Sequence, residues 1–218
     1  MLWETDLVKD IRFNDSDDDV DEPLKRRMQV SWNIPPDQSG PYSHFTLDNH
    51  RALQFSIDEF KKRTGRPLRT VFEIGVGIKY FMDHGSASTS TLLKNLDAAG
   101  KYLGIDIQDS SHVNNPDKGI HTFIARSENV SEVREKMLTL GLDEIDFFFI
   151  DGWHSINQVL KEWEYTQFLS PGAVVGWHDT KAHPGPYLFL RNLDPDKWVS
   201  YPNLCPNDYG YGYCYRKS

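Results

Sequence analysis

Two short apolar runs, Phe147–Ile150 and Ala173–Trp177, each stop at ionisable residues, and the stretch joining them constrains what this chain can build. Phe147-Phe148-Phe149-Ile150 is apolar without alternation, the pattern of a strand buried on both faces of a parallel sheet. Asp151-Gly152-Trp153-His154-Ser155 follows at once. A helix is expected from about Ser155 to Phe168, because Val159, Leu160, Trp163, Thr166 and Gln167 or Phe168 give one mostly apolar stripe. Ser170-Pro171-Gly172 carries turn residues and is expected to end it. Ala173-Val174-Val175-Gly176-Trp177 then reads as a second buried strand that stops at His178-Asp179. A right-handed crossover lays the two strands parallel and close together. Both carboxyl ends then open on one edge of the sheet, the edge where open α/β sheets bind ligands. Asp151, His154, His178 and Asp179 are expected to converge there.

The 218 residues suffice for one large domain or a domain with an added lid, and at 39% hydrophobic they can build a core. The net charge of -8 and the lack of a basic stripe argue against a nucleic-acid partner. No apolar run approaches a membrane span, and the N-terminus lacks a leader's basic and apolar blocks, so a cytoplasmic protein with no membrane contact is expected. Cys205 and Cys214 could face each other across a C-terminal hairpin, but two cysteines make no disulfide framework and reduced thiols are expected.

Residues 1–45 differ from the domain expected over 46–218. Asp15, Asp17, Asp18, Asp19, Asp21 and Glu22 form an acidic run with little to bury, while Trp32, Tyr42 and His44 suit a lid over an acceptor site. Leu47 to Thr64 reads as a helix burying Leu53, Phe55, Ile57 and Phe60. Thr70–Ile74 is the first buried strand, and Gly75-Val76-Gly77 permits a tight turn and close approach to a ligand. Ile78 to Ser86 has no assigned form. A helix begins near Ser86 to Ser90, and Lys101–Ile105 is a strand ending at Asp106, where an acid usually meets ribose hydroxyls. Ile120–Ala125 reads as a strand before Arg126-Ser127, Val130–Leu140 as a helix, and His183-Pro184-Gly185-Pro186 as a loop. Trp198–Tyr201 and Tyr209–Tyr215 close the chain as strands, with Tyr211, Tyr213 and Tyr215 on one face.

Strand, glycine loop, helix, strand and acid in that order mark an α/β domain for an adenosine-containing cofactor. Tyr80 stands where a dinucleotide fingerprint has its third glycine, and Glu73 would repel a pyrophosphate while suiting a cationic amino-acid end. Glu73-Ile74-Gly75-Val76-Gly77, Asp106, Arg126-Ser127, Asp151-Gly152-Trp153-His154-Ser155 and Pro171 to Asp179 together resemble class I S-adenosylmethionine-dependent methyltransferases. The resemblance covers roughly residues 70–180 and is closest to the small-molecule and sugar O-methyltransferase branch, with macrolide sugar O-methyltransferases and cephalosporin-hydroxylase-like proteins. It implies a Rossmann-like, seven-stranded, mostly parallel sheet flanked by helices, its last strand antiparallel. It implies that Glu73, Gly75 and Gly77 lie near the methionine end of S-adenosylmethionine, that Asp106 holds the ribose, and that Arg126 and Ser127 border the adenine. In metal-dependent relatives the acid after strand four and the pair after strand five hold Mg²⁺, and the histidine three residues past the first acid is the base. Those positions are Asp151, His178 with Asp179, and His154, with Asp151 also beside the cofactor. The chain departs from the pattern in a longer segment from Ile78 to Ala87 and in His178, where sugar-modifying relatives have a glutamate. The nitrogen ligand tilts the expected ion from Mg²⁺ toward Mn²⁺.

Structural explanations stand beside these. Asp151 could cap the following helix, and His178 could be a satisfied strand-end residue. The leading expectation is a metal-assisted methyltransferase acting on a hydroxyl of a small molecule, a sugar or polyol, with assembly of identical copies compatible with it. The alternatives are a non-catalytic cofactor-binding module of the same fold and, more weakly, a nicotinamide-dependent oxidoreductase.

Overall fold

In the computed structural model, residues 3–8, 48–205 and 209–217 are described, so most of the expected N-terminal lid, including the acidic run, Trp32, Tyr42 and His44, lies outside the described residues. A short helix, α1 (Trp3–Asp6), precedes α2 (Asn49–Thr64). Asp48 caps α2 by accepting from the Arg51 amide at 2.8 Å. Gly65, at φ 69°, ends it in the left-handed conformation that glycine adopts without strain. Then follow β1 (Leu68–Ile74), α3 (Lys79–Asp83), α4 (Ser88–Asn95), β2 (Leu96–Asp106), β3 (Ile120–Ile124), α5 (Val130–Thr139), β4 (Ile145–Ile150), α6 (Ile156–Glu162), β5 (Leu169–His178), α7 (Pro184–Arg191), β6 (Trp198–Tyr201) and β7 (Tyr211–Arg216).

The seven strands form one sheet in the order β3-β2-β1-β4-β5-β7-β6. Pairing is parallel from β3 to β5, and β7 runs antiparallel between β5 and β6. Because β4 is central, alternate residues feed opposite layers, which is why its apolar run does not alternate. Phe147 and Phe149 pack with α2, α4, Tyr211 and Tyr213, while Phe148 and Ile150 pack with α5, α6 and α7. On the second side Trp163 meets Trp177, Phe189 and Trp198, at centroid distances of 5.6, 4.7 and 4.8 Å. Residues 3–8 dock on this side too: Leu7 is buried, and Asp6 accepts from the Trp163 indole at 3.0 Å. No described helix is long and apolar enough to cross a membrane.

Three local expectations change. The helix after Ser155 keeps α geometry only to Glu162 and tightens into a 3-10 helix over Trp163–Phe168. Ser170-Pro171-Gly172 is not a turn but an irregular opening of β5, where pairing steps from Ile145↔Leu169 to Phe147↔Val174. His183-Pro184-Gly185-Pro186 is not a loop throughout: Pro184 starts α7, where its missing N–H and fixed φ suit a first turn. Cys205 and Cys214 are buried and unbridged.

A buried ion pair ties the amino edge of the sheet together. Asp146 receives both arms of the Arg66 guanidinium at 2.6 Å, the Ser170 hydroxyl at 2.6 Å and the Arg69 amide at 2.8 Å. Burial opposes its charge, but these donors outweigh it and hold the carboxyl below its usual pKa. Removing one partner of such a pair leaves a stranded charge. Arg66→Ala is therefore expected to lower stability by about 2 kcal/mol, read as a fall in the urea midpoint at pH 7.

Candidate active site at the carboxyl edge

The glycine loop is seated against the end of β4. Gly75 has φ 83°, and a Cβ there would lie 1.9 Å from the Asp151 carbonyl oxygen, so only glycine fits. The Gly77 amide donates to Thr89 Oγ1 at 2.8 Å, and the Val76 amide to Asp106 at 3.0 Å. Beneath this loop, Glu73 is fully buried, accepting from Thr89 at 2.9 Å, Ser88 at 3.2 Å and the Tyr102 hydroxyl. Burial pushes its pKa up to about 8 against the pull of the Tyr102 and Thr89 hydrogen bonds, with Asp151 adding to the rise. Glu73 lines neither of the two cavities at this edge; its carboxyl is turned to Thr89, Ser88 and Tyr102 and holds the loop from below through Thr89.

A carboxyl raised from 4.5 to about 8 keeps its proton in the folded state while the unfolded chain has lost it. Its contribution is complete below pH 4.5 and is lost as pH rises toward 8. Glu73→Gln is expected to remove that slope, so that unfolding free energies from urea titrations between pH 5 and pH 8 shift in the variant's favour by about 1.4 kcal/mol per pH unit. Parallel curves would show that Glu73 is ionised in the folded protein.

Asp151 is the wall shared by two cavities. One, of 500 Å³, is lined by Gly75, Asp106, Ile107, Arg126, Ser127 and Trp153 among others. Asp106 is oriented there by the Val76 amide and by the Gln108 amide at 2.8 Å. Arg126 turns outward to Glu128 at 2.6 Å. Ser127 donates to Glu162 at 2.7 Å, and Gln158 donates to both, at 2.7 and 3.1 Å. Burial pushes the Glu162 pKa up to about 7, against its hydrogen bonds from Ser127 and Gln158. Sequence reasoning missed Glu162 and Gln158. The available signal is an acid on the buried side of an otherwise apolar helix.

The second cavity, of 470 Å³, is lined by Asn49, Gly77, Phe81, His178, Asp179 and Tyr209 together with Asp151. Its polar wall is the predicted cluster. His178 Nδ1 lies 3.3 Å from Asp151 and 2.8 Å from Asp179 Oδ1, and its Nε2 lies 2.9 Å from the Asn49 amide. His154 Nε2 lies 3.3 Å from Asp179 Oδ2 and 3.7 Å from Asp151. Burial works against charge on His178, but the two carboxylates outweigh it and raise its pKa to about 10. Burial likewise opposes charge on Asp179, and the two histidines overcome it to hold the carboxyl far below the usual range. Ser155, not Asp151, caps α6, accepting from the Gln158 amide at 3.2 Å, which leaves Asp151 for the cluster. His154 differs from expectation in one respect: its side chain is 8% exposed and lines neither cavity, so His178 is the imidazole that faces the open space. The 78–87 segment supplies Phe81 to the same cavity through α3, with Ile78 and Tyr80 exposed beside it.

No protein-family model and no curated protein sequence matches the chain. Solved structures do. MycE methyltransferase from the mycinamycin biosynthetic pathway, in complex with Mg, SAH and mycinamycin VI, superposes with a TM-score of 0.52 and 17% identity over 75% of this chain and 48% of that one. A methyltransferase from Geobacter sulfurreducens superposes with a TM-score of 0.50 and 15% identity over 92% and 91% of the two chains. The fold is that of the methyltransferases. The chain spans about half the length of MycE, so the likeness is to part of that protein.

Proposed function

We propose that this protein is an S-adenosylmethionine-dependent methyltransferase that modifies a hydroxyl of a small molecule, a sugar or polyol, with a divalent cation assisting. The observation that carries the reading is Asp151, which borders both cavities, so that a donor in one and an acceptor in the other would meet at one carboxylate. The 500 Å³ cavity suits the donor's adenosine: Asp106, already oriented by two amides, would accept from ribose hydroxyls, and Ser127 and Arg126 would border the base. The methionine end would run past Gly75 and Gly77 toward Asp151. That places the reactive methyl at the mouth of the 470 Å³ cavity, where transfer is a positioned in-line displacement.

Two carboxylates and an imidazole with ligand atoms within 4.8 Å of one another suit a divalent ion of mixed oxygen and nitrogen preference, Mg²⁺ or more readily Mn²⁺. Bound there, the ion would lower the pKa of an acceptor hydroxyl. Asp151, His178 and Asp179 would hold it and orient the acceptor. His154 serves as base through Asp179 Oδ2, since its own ring does not reach the cavity. A metal-free variant of the reading has its own support: His178, with a pKa of about 10, already places a positive charge between the carboxylates. Asn49 and His50 line the acceptor cavity at the start of α2. The segment 1–45 that precedes them is proposed as its cover, apart from the docked residues 3–8.

Calorimetry is expected to show micromolar binding of S-adenosylhomocysteine and none of NAD, with Asp106→Ala weakening the former at least tenfold. Tight NAD binding without S-adenosylhomocysteine binding would sink the proposal. Chelation is expected to abolish turnover and Mn²⁺ to restore it, with Asp151→Asn inactive in both conditions. Full turnover after chelation would leave the His178 cation as the electrostatic partner.

A further inference from the structure

Asp179 is the only non-glycine residue with positive φ among the described residues, at 58°. Aspartate tolerates that conformation better than most side chains, but it still needs fixing by its surroundings. Here the His183 amide donates to the Asp179 carbonyl at 2.9 Å, closing a turn that folds His183 back beside its own starting point. The Asp179 carboxylate is thereby turned edge-on between two histidines. Oδ1 faces His178 at 2.8 Å, and Oδ2 faces His154 at 3.3 Å. The His154 and His183 rings lie 4.8 Å apart, tilted by 34°. Ligand atoms of His154, Asp179 and His183 all fall within 4.8 Å of one another, forming a second triad that shares Asp179 with the first.

His154 supplies an independent observation. Its side chain is 8% exposed, one ring nitrogen faces Asp179, and Nδ1 is buried with no hydrogen-bond partner among the described residues. A buried polar atom left unmet is costly. The ring thus brings Nε2 to Asp179, within the triad that His183 completes, and leaves Nδ1 without a protein partner among the described residues.

We propose that the protein holds a second divalent transition-metal ion between His154, Asp179 and His183, with Asp179 bridging it to the Asp151–His178 position. Two nitrogens and one oxygen favour Mn²⁺, Co²⁺ or Zn²⁺ over Mg²⁺, which demands oxygen ligands. The first position, with two oxygens and one nitrogen, is the harder of the two. The pair would differ in ion preference while sharing one carboxylate, as bridged two-metal centres do. The inference rests on the proposed first metal position through Asp179, and an ion held between His154 and Asp179 replaces the base role proposed for His154, the acceptor proton then leaving to solvent.

The test uses the full chain, stripped with a chelator and titrated with Mn²⁺, an ion for which the buried thiols of Cys205 and Cys214 compete poorly. Calorimetry is expected to give about two ions per chain, and electron paramagnetic resonance a signal broadened by coupling between neighbouring ions. His183→Ala is expected to leave about one uncoupled ion and His183→Asp to restore about two, with circular dichroism confirming that both variants fold. One ion per chain, unchanged in His183→Ala, overturns the second site and leaves the first standing. No bound ion overturns both metal positions. S-adenosylhomocysteine binding, measured separately, still decides the methyltransferase reading.

Discussion

The site depends on the backbone contact between Gly75 and Asp151. β1 and β4 are neighbours in register, and the Asp151 amide donates to the Ile74 carbonyl at 2.8 Å, so the two strands end together. Gly75 then turns across the end of β4 so closely that no side chain fits at its Cβ. That contact divides the carboxyl edge in two. Toward β2 and β3 lies the cavity with Asp106 and Ser127, and toward β5 and α2 the one with His178 and Asp179. A bulkier residue at 75 would not merely fill space: it would push the loop off β4 and merge the cavities, removing the one carboxylate that borders both.

Electrostatics follow from this division. Four ionisable residues of the cluster sit at the ends of two central strands, where burial penalises each charge singly. The cluster resolves this by alternating sign, with His178 held cationic between Asp151 and Asp179. The two acids behind the cavities follow the opposite course. Glu73 and Glu162 are buried among hydroxyls and an amide, and burial raises both pKa values, in Glu162 against the pull of Ser127, Gln158 and His154. A carboxyl that keeps its proton accepts and donates hydrogen bonds beneath the glycine loop without adding negative charge there. The edge thus gathers its fixed charge in the cavity with His178 and Asp179, while burial favours the neutral form of the two acids behind it.

Much of this was legible in the sequence, for physical reasons. Apolar runs that stop at acids reveal the ends of buried strands, and right-handed crossover then forces those ends to one edge, so the convergence of Asp151, His154, His178 and Asp179 follows from chain order alone. What pattern cannot supply is the direction of a side chain once it arrives. His154 and His178 look equivalent in sequence, yet the first turns inward behind Asp179 and the second faces the cavity. Glu73 looks like a cofactor contact because it precedes the glycines; strand alternation puts it beneath them, where Tyr102 from the neighbouring strand closes over it. Ser170-Pro171-Gly172 has turn chemistry but becomes strand because Ser170 is needed by Asp146, which only the folded sheet brings near. Pro184 reads as a loop residue, although proline is as much at home in a helix's first turn.

The likeness to MycE covers 75% of this chain but only about half of that protein, so the walls of the 470 Å³ cavity are judged from this chain. They are mixed. Asp151, His178 and Asp179 are polar, while Leu53, Phe81, Phe149 and Tyr209 give ring and aliphatic surface opposite them. Phe81 comes from α3, inside the segment that is longer than the usual step from glycine loop to helix, and neighbouring Ile78 and Tyr80 extend the apolar surface outward at 52% and 64% exposure. Exposed apolar side chains grouped at a cavity mouth cost solubility unless something covers them. A single oxygen-rich ring would satisfy the polar wall and leave this surface wet. A molecule with a hydroxylated end and an apolar body would meet both walls. The longer segment after the glycine loop thus shapes the mouth of the cavity with His178 and Asp179 and adds nothing to the lining of the cavity with Asp106.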